Sequence, residues 1–185
     1  MRVAIFGTSG AGKTTLSRQL GARLGVPVVE LDALNWRAGW RDRVTHEPQA
    51  FLADIAAALA GEAWVTDGNY SLGRSLILAR ATDVVWLDYS RWVIMTRVFR
   101  RSVLRSLSGQ ELWPGTGNRE DWRRWIEKDH PIRWAWDTYE GRRVRYGALF
   151  ADPALAHLRR HRLDHPRQAG ALVDKLAHMA RETPP

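Results

Sequence analysis

The chain has no cysteine among its 185 residues. A disulfide framework and a thiolate metal site are excluded, and a reducing compartment poses no difficulty. Long hydrophobic runs are also lacking. Residues 2–6, RVAIF, are too few and too soon followed by glycine to form the apolar core of a secretory signal, and no run approaches transmembrane length. A cytoplasmic location with no membrane partner is the expectation. There is no internal repeat, low-complexity tract or linker, so one domain over 1–185, as monomer or dimer, is expected. Lysine is scarce, with three residues against 25 arginines. The formal net charge of +8 favours a phosphate-bearing partner. It admits DNA without favouring it, because the arginines are spread along the chain rather than gathered in a tail.

What is present is an ordinary globular mixture, 45% hydrophobic and 26% charged, in an alternating strand and helix pattern. RVAIF reads as a buried strand ended by Gly7. Leu16, Leu20 and Leu24 then recur at helical spacing until Gly25. VPVVELD (26–32) reads as a second strand, and residues 48–61 as a helix with Pro48 at its start. AWVTDGN (63–69) and DVVWLD (83–88) are further apolar runs, followed by a long amphipathic helix over 90–106. One or two tryptophan-rich helices are expected over 119–147, where DWRRWI has the spacing of a buried helical stripe. A last strand is expected over 155–163 and a closing helix to about 180. The pattern predicts an α/β fold, a mostly parallel sheet with helices on both faces. Ligands bind such sheets beyond the carboxyl ends of the strands.

One of the three lysines lies in GTSGAGKT, residues 7–14, which has the spacing G-x-x-x-x-G-K-[ST] of the Walker A phosphate-binding loop. Gly7, Gly10 and Gly12 permit backbone turns that aim successive N–H groups at an anion. Lys13 supplies a point charge to the outer phosphates, Thr14 offers a hydroxyl to magnesium, and the helix N-terminus adds to the attraction. The nucleotide-binding candidates are therefore Gly7, Thr8, Ser9, Gly10, Ala11, Gly12, Lys13, Thr14 and Thr15. Asp67, at the end of a strand, is the candidate second metal residue, acting through water; a plain Asp-Gly turn is the alternative. No Asn-Lys pair exists to begin an N-K-x-D guanine reader, which favours ATP over GTP. Arg97, Arg101 and Arg105 recur at four-residue spacing, a mildly unfavourable stripe unless an anion or carboxylate relieves it. His157, His161 and His165 share that spacing, but a strand and Pro166 interrupt any helix that would align them as metal ligands.

Taken together, GTSGAGKTTLSRQL, ELDALNW, WVTDGNY, DVVWLD and the arginines of RVFRR resemble small bacterial P-loop kinases related to adenylate kinase and shikimate kinase. Within these they resemble the group often labelled DNA-topology modulation proteins. The resemblance covers nearly the whole chain. It implies a three-layer P-loop NTPase fold with a five-stranded parallel sheet in the order 2-3-1-4-5, a helical lid at about 105–120, ATP and Mg2+ as cofactors, and an acceptor pocket between lid and sheet. It places Asp32 facing the acceptor, where it takes or orients a hydroxyl proton, or orients a metal-bound water if the acceptor is a phosphate; a cap is the plain alternative. Arg97 and Arg101 become lid arginines that brace the transferring phosphoryl group, with Arg119 and Arg142 as weaker candidates. Asn69 and Tyr70 stand where adenylate kinase has Phe-Pro, a departure that argues against AMP, while Asn69 and Arg74 remain candidate acceptor ligands. Trp36, beside the acceptor loop, could stack on a ring. The expected activity is transfer of the γ-phosphoryl of Mg-ATP to a small acceptor. The alternative is a nucleotide-binding regulator that associates with DNA and hydrolyses ATP slowly.

Overall fold

The computed structural model describes residues 1–128 and 130–182. Among these residues, seven strands and eight α-helices follow one another as β1 (Arg2–Gly7), α1 (Lys13–Leu24), β2 (Val28–Glu30), α2 (Leu31–Asn35), β3 (Trp36–Arg37), β4 (Arg41–Asp42), α3 (Arg43–His46), α4 (Pro48–Ala58), β5 (Trp64–Asp67), α5 (Arg74–Arg80), β6 (Asp83–Leu87), α6 (Arg91–Ser108), α7 (Pro131–Ala151), β7 (Arg159–Leu163) and α8 (Gln168–Glu182). The main sheet runs β2-β5-β1-β6-β7, every pair parallel, and β3 and β4 form a separate antiparallel hairpin. Numbering only the five sheet strands along the chain gives the expected order 2-3-1-4-5.

The period-two alternation of β1 divides the core in two. Val3 and Ile5 face a cluster built from Leu16 and Leu20 of α1, Ile94 and Val98 of α6, and Leu172 and Leu176 of α8. Ala4 and Phe6 face a second cluster with Phe51 and Ile55 of α4, Ile77 of α5 and Trp64. Helix α7 serves both, since Ala135 and Tyr139 join the first cluster and Tyr146 the second. It thereby crosses the carboxyl ends of the strands, meeting Asp88 after β6 through Arg143 and Asn69 after β5 through Tyr146.

Several local expectations are corrected. The second strand is only Val28–Glu30, and Leu31–Asn35 turns into a helix that carries Asp32 in its first turn. Helix α5 lies in a stretch for which no element was expected. DWRRWI is not a buried helical stripe: only a 3₁₀ turn spans Trp122–Arg124, with Trp122 64% and Ile126 84% exposed. The tryptophan-rich helix instead starts at Pro131, behind a His130 cap, and continues to Ala151. Pro131 explains the boundary, because the residue before a proline is driven out of helical geometry while proline itself suits the first helical turn. The last strand is confined to Arg159–Leu163. After Ser108 the expected lid segment leaves α6 and runs as a bridged loop, with Glu111 paired to Arg119 and positive φ at Gly115 and Gly117.

Candidate active site

The glycine loop between β1 and α1 has the conformation its composition calls for. Gly10 and Gly12 hold φ of 86° and 97°, and Gly12 is the N-cap of α1. A Cβ at Gly10 would meet the carbonyl oxygen of Ile94 and the Cβ of Val98, each at 2.9 Å, so the loop is seated directly on α6. Ala11 N–H donates to the Thr8 carbonyl at 3.1 Å, closing the turn. Thr15, the third residue of α1, is exposed, while Thr14 is partly covered. Lys13 donates from Nζ to the Thr8 carbonyl at 3.3 Å and so lies back across its own loop. Burial lowers its pKa to about 8, opposed by Asp32 and Asp67.

Asp67 ends β5 beside β1 and is buried. Burial pushes its carboxyl above the usual range, against a Thr14 hydrogen bond and the charge of Lys13. Its Oδ2 is buried without a hydrogen-bond partner. An orphaned carboxylate oxygen next to a threonine hydroxyl suits a hard divalent cation or its water, so the donor set fits magnesium.

On the other side of the loop, Asp32 accepts from the Tyr70 hydroxyl at 2.6 Å. Arg74 opens α5, and its Nε is buried without a partner. Arg142 of α7 lies within electrostatic reach of Lys13, Asp32 and Arg74, and burial lowers its pKa. Asn69 does not extend freely into this space. Its Nδ2 donates to the Gly7 carbonyl at 2.6 Å, and its Oδ1 accepts from the Tyr146 hydroxyl at 2.7 Å. It thereby ties the start of the phosphate loop to α7. Trp36 stacks on Trp113, 5.8 Å between ring centroids and 21° between planes.

The arginine stripe of α6 touches the loop itself. Arg97 donates to the Ala11 carbonyl at 3.1 Å and Arg101 to Ser9 Oγ at 3.2 Å. Burial pulls Arg101 down to about 10, with Arg105 adding like-charge repulsion; the guanidinium stays protonated at neutral pH. Its Nε is buried and unpartnered. Cations from α1, α5, α6 and α7 thus converge against few carboxylates, an arrangement that an incoming polyphosphate relieves.

Sequence reasoning ranked Arg142 low and passed over Tyr146. Their four-residue spacing on one helix was a signal, and the two lie within electrostatic reach of each other. The helix register is set by Arg143, which donates to the buried Asp88 carboxylate at 3.0 Å.

No family model matches the chain, and no curated protein matches it by sequence. Solved structures do resemble it. A shikimate kinase from Acinetobacter baumannii, in complex with shikimate, is 18% identical with a TM-score of 0.57, over 98% of this chain and 93% of that one. A deoxyadenosine kinase from M. mycoides is 13% identical with a TM-score of 0.55, over 99% and 100%. A gluconokinase from Sinorhizobium meliloti 1021 is 18% identical with a TM-score of 0.53, over 97% and 95%. At these identities the likeness is one of architecture, and it agrees with the sheet order and the glycine loop: the chain has the P-loop kinase fold.

Proposed function

We propose that the protein is a kinase that moves the γ-phosphoryl group of Mg-ATP to a small acceptor. The observation that carries this reading is the meeting, at one left-handed glycine loop, of Lys13, the Thr14–Asp67 pair with its orphaned oxygen, and the α6 arginines. The amides of residues 7–15 would cradle the β- and γ-phosphates, and Lys13 would leave the Thr8 carbonyl for a phosphate oxygen. Magnesium, held by Thr14 and through water by Asp67, would supply charge neutralisation on those oxygens. Arg97 and Arg101 would balance charge that builds as the bond from Pγ to the bridging oxygen breaks and a bond from the acceptor oxygen forms.

Asp32 would face the acceptor, oriented by Tyr70. For a hydroxyl acceptor it receives the proton; for a phosphate acceptor no base is needed, and it orients water instead. Arg74 and Arg142 would hold an anionic group of the acceptor, with Asn69 fixing the floor between them and Trp36 closing the far wall. Closure of the 107–118 segment would exclude water, the competing nucleophile.

The test is a screen of nucleosides, nucleoside monophosphates and small hydroxy acids with Mg-ATP, reading ADP formation and phosphorylated product. One acceptor class is expected to raise ADP release well above the rate with ATP alone, and Lys13→Ala to remove that increase. Acceptor-independent ADP release that survives Lys13→Ala overturns the assignment.

A further inference from the structure

Three indoles from two distant segments meet in one cluster. Trp36 and Trp40 belong to the β3–β4 hairpin on the acceptor side, whereas Trp113 belongs to the bridged loop after α6. Trp113 stacks on Trp36 and stands edge-on to Trp40 at 5.8 Å, and Trp36 and Trp40 are themselves edge-to-face at 5.7 Å. Arg124, from the chain after the loop, lies over the Trp40 ring at 5.9 Å. Offset-stacked and edge-to-face pairs add attraction beyond area burial.

Asn118 fastens the same two segments with directional bonds. The residue is 3% exposed. Oδ1 accepts from the Trp40 N–H at 3.0 Å, and Nδ2 donates to the Arg37 carbonyl at 2.9 Å. Within its own segment Asn118 offers its carbonyl to the Leu112 N–H at 2.9 Å. Trp40 has φ of 60°, a conformation that bulky residues avoid and that persists only where surroundings impose it. The imposed geometry is what lets its N–H meet Asn118.

We propose that Trp36, Trp40, Trp113 and Asn118 form a latch that joins the loop after α6 to the acceptor-side hairpin, so that these two segments move as one body. A kinase whose lid and acceptor loop were independent could bind nucleotide without ordering the acceptor side. In this chain, ordering either segment orders the other, and by linkage the coupling acts in both directions. The latch itself rests on the contacts between the segments, and only its use in phosphoryl transfer depends on the proposed function.

Amide hydrogen exchange followed by NMR on the full chain tests this. In the nucleotide-free protein the Trp40 and Leu112 amides should share one opening event, with protection factors that agree within about threefold and fall together with denaturant. Asn118→Ala should speed Trp40 exchange about tenfold, the loss of one buried hydrogen bond. Trp113→Ala should separate the two amides, while Trp113→Phe keeps them together. Sheet amides of β1 and β6 serve as the folding control in each variant. Adding magnesium with a non-hydrolysable ATP analogue should slow exchange over 36–42 and 109–121 in the wild type, but only over 109–121 in Trp113→Ala. Unrelated protection of Trp40 and Leu112 in the wild type, or a hairpin that responds equally to the analogue in Trp113→Ala, overturns the latch. Absence of protection at residues 7–15 overturns the phosphotransfer reading instead, and the nucleotide-free comparisons then decide the latch alone.

Discussion

At the scale of single residues, the loop lysine and the α6 arginines do different work. Lys13 is held by its own loop and is desolvated, so it gains most when a phosphate oxygen replaces the Thr8 carbonyl. Lys13→Ala is expected to abolish phosphoryl transfer with an unchanged circular dichroism spectrum; turnover at the wild-type level would remove Lys13 from the mechanism. Among the described residues Arg101 hydrogen-bonds to Ser9, and its Nε is buried without a partner. Arg101→Ala should therefore lower kcat by roughly 10²- to 10³-fold while changing nucleotide affinity much less. Equal losses in both would make it a plain binding residue. Asn69 has another character, because its bonds run to Gly7 and Tyr146. Asn69→Ala removes the side-chain partner of three partly buried groups, the Gly7 carbonyl and N–H and the Tyr146 hydroxyl, and should cost about 1–3 kcal/mol of stability, read from chemical denaturation. The sequence pattern marked Lys13, Thr14 and Asp67 because their spacing is dictated by one short loop and one adjacent strand end. It ranked Arg142 low and passed over Tyr146, whose hydrogen bond to Asn69 crosses 77 residues of chain, and it gave Asn69 no link to Gly7.

At the scale of elements, glycine content and periodicity made β1, α1, α4, β6 and α6 readable. In each, burial falls on one face or on the whole strand, as the pattern requires. Helix α5 is short, and its neighbours are glycine and small polar residues, so no period emerges from seven positions. The indoles of 122–125 copy a helical spacing but are held by other means, with Trp125 edge-on to Phe99 at 5.4 Å. The join between elements yields the sharpest test. Gly10 combines a left-handed φ with no room for a side chain, because α6 lies against it. Gly10→Ala should cost about 2–4 kcal/mol, combining conformational strain and overpacking. The displaced loop should also bind Mg-ATP more weakly by calorimetry. A variant with wild-type stability and affinity would mean that the loop is not seated on α6.

At the scale of the whole molecule, the positive charge that suggested an external polyanion is partly turned inward. Strand β6 is acidic at each end, and both carboxylates gather arginines from the layers around them. Asp88 accepts from Arg143 of α7 and from Arg162 of β7, each at 3.0 Å from Nε. At the opposite end Asp83 accepts from Arg159 at 2.9 and 2.7 Å, from Thr82 Oγ1 at 2.7 Å, and lies 2.9 Å from His161 Nε2. Burial alone would raise the Asp83 carboxyl, but the Arg159, His161 and Thr82 bonds together outweigh it and hold the group well below the usual carboxylate range. A folded pKa below the unfolded one means that ionised Asp83 contributes stability above the unfolded value, about 3.9, and that this contribution drains away as pH falls toward the folded value. Asp83→Asn should accordingly destabilise the protein by about 3 kcal/mol at pH 7, since it strips the charge from a buried pair while half-exposed Arg159 can still turn to water. Urea titrations of wild type and variant should show that gap unchanged between pH 7 and about 5, then narrowing below about pH 4 as the unfolded wild-type chain takes up a proton that folded Asp83 does not. A gap that stays constant down to pH 3 would show that the bonds to Asp83 stabilise the fold without regard to its charge, and that the β6–β7 edge is held by shape and hydrogen bonding alone.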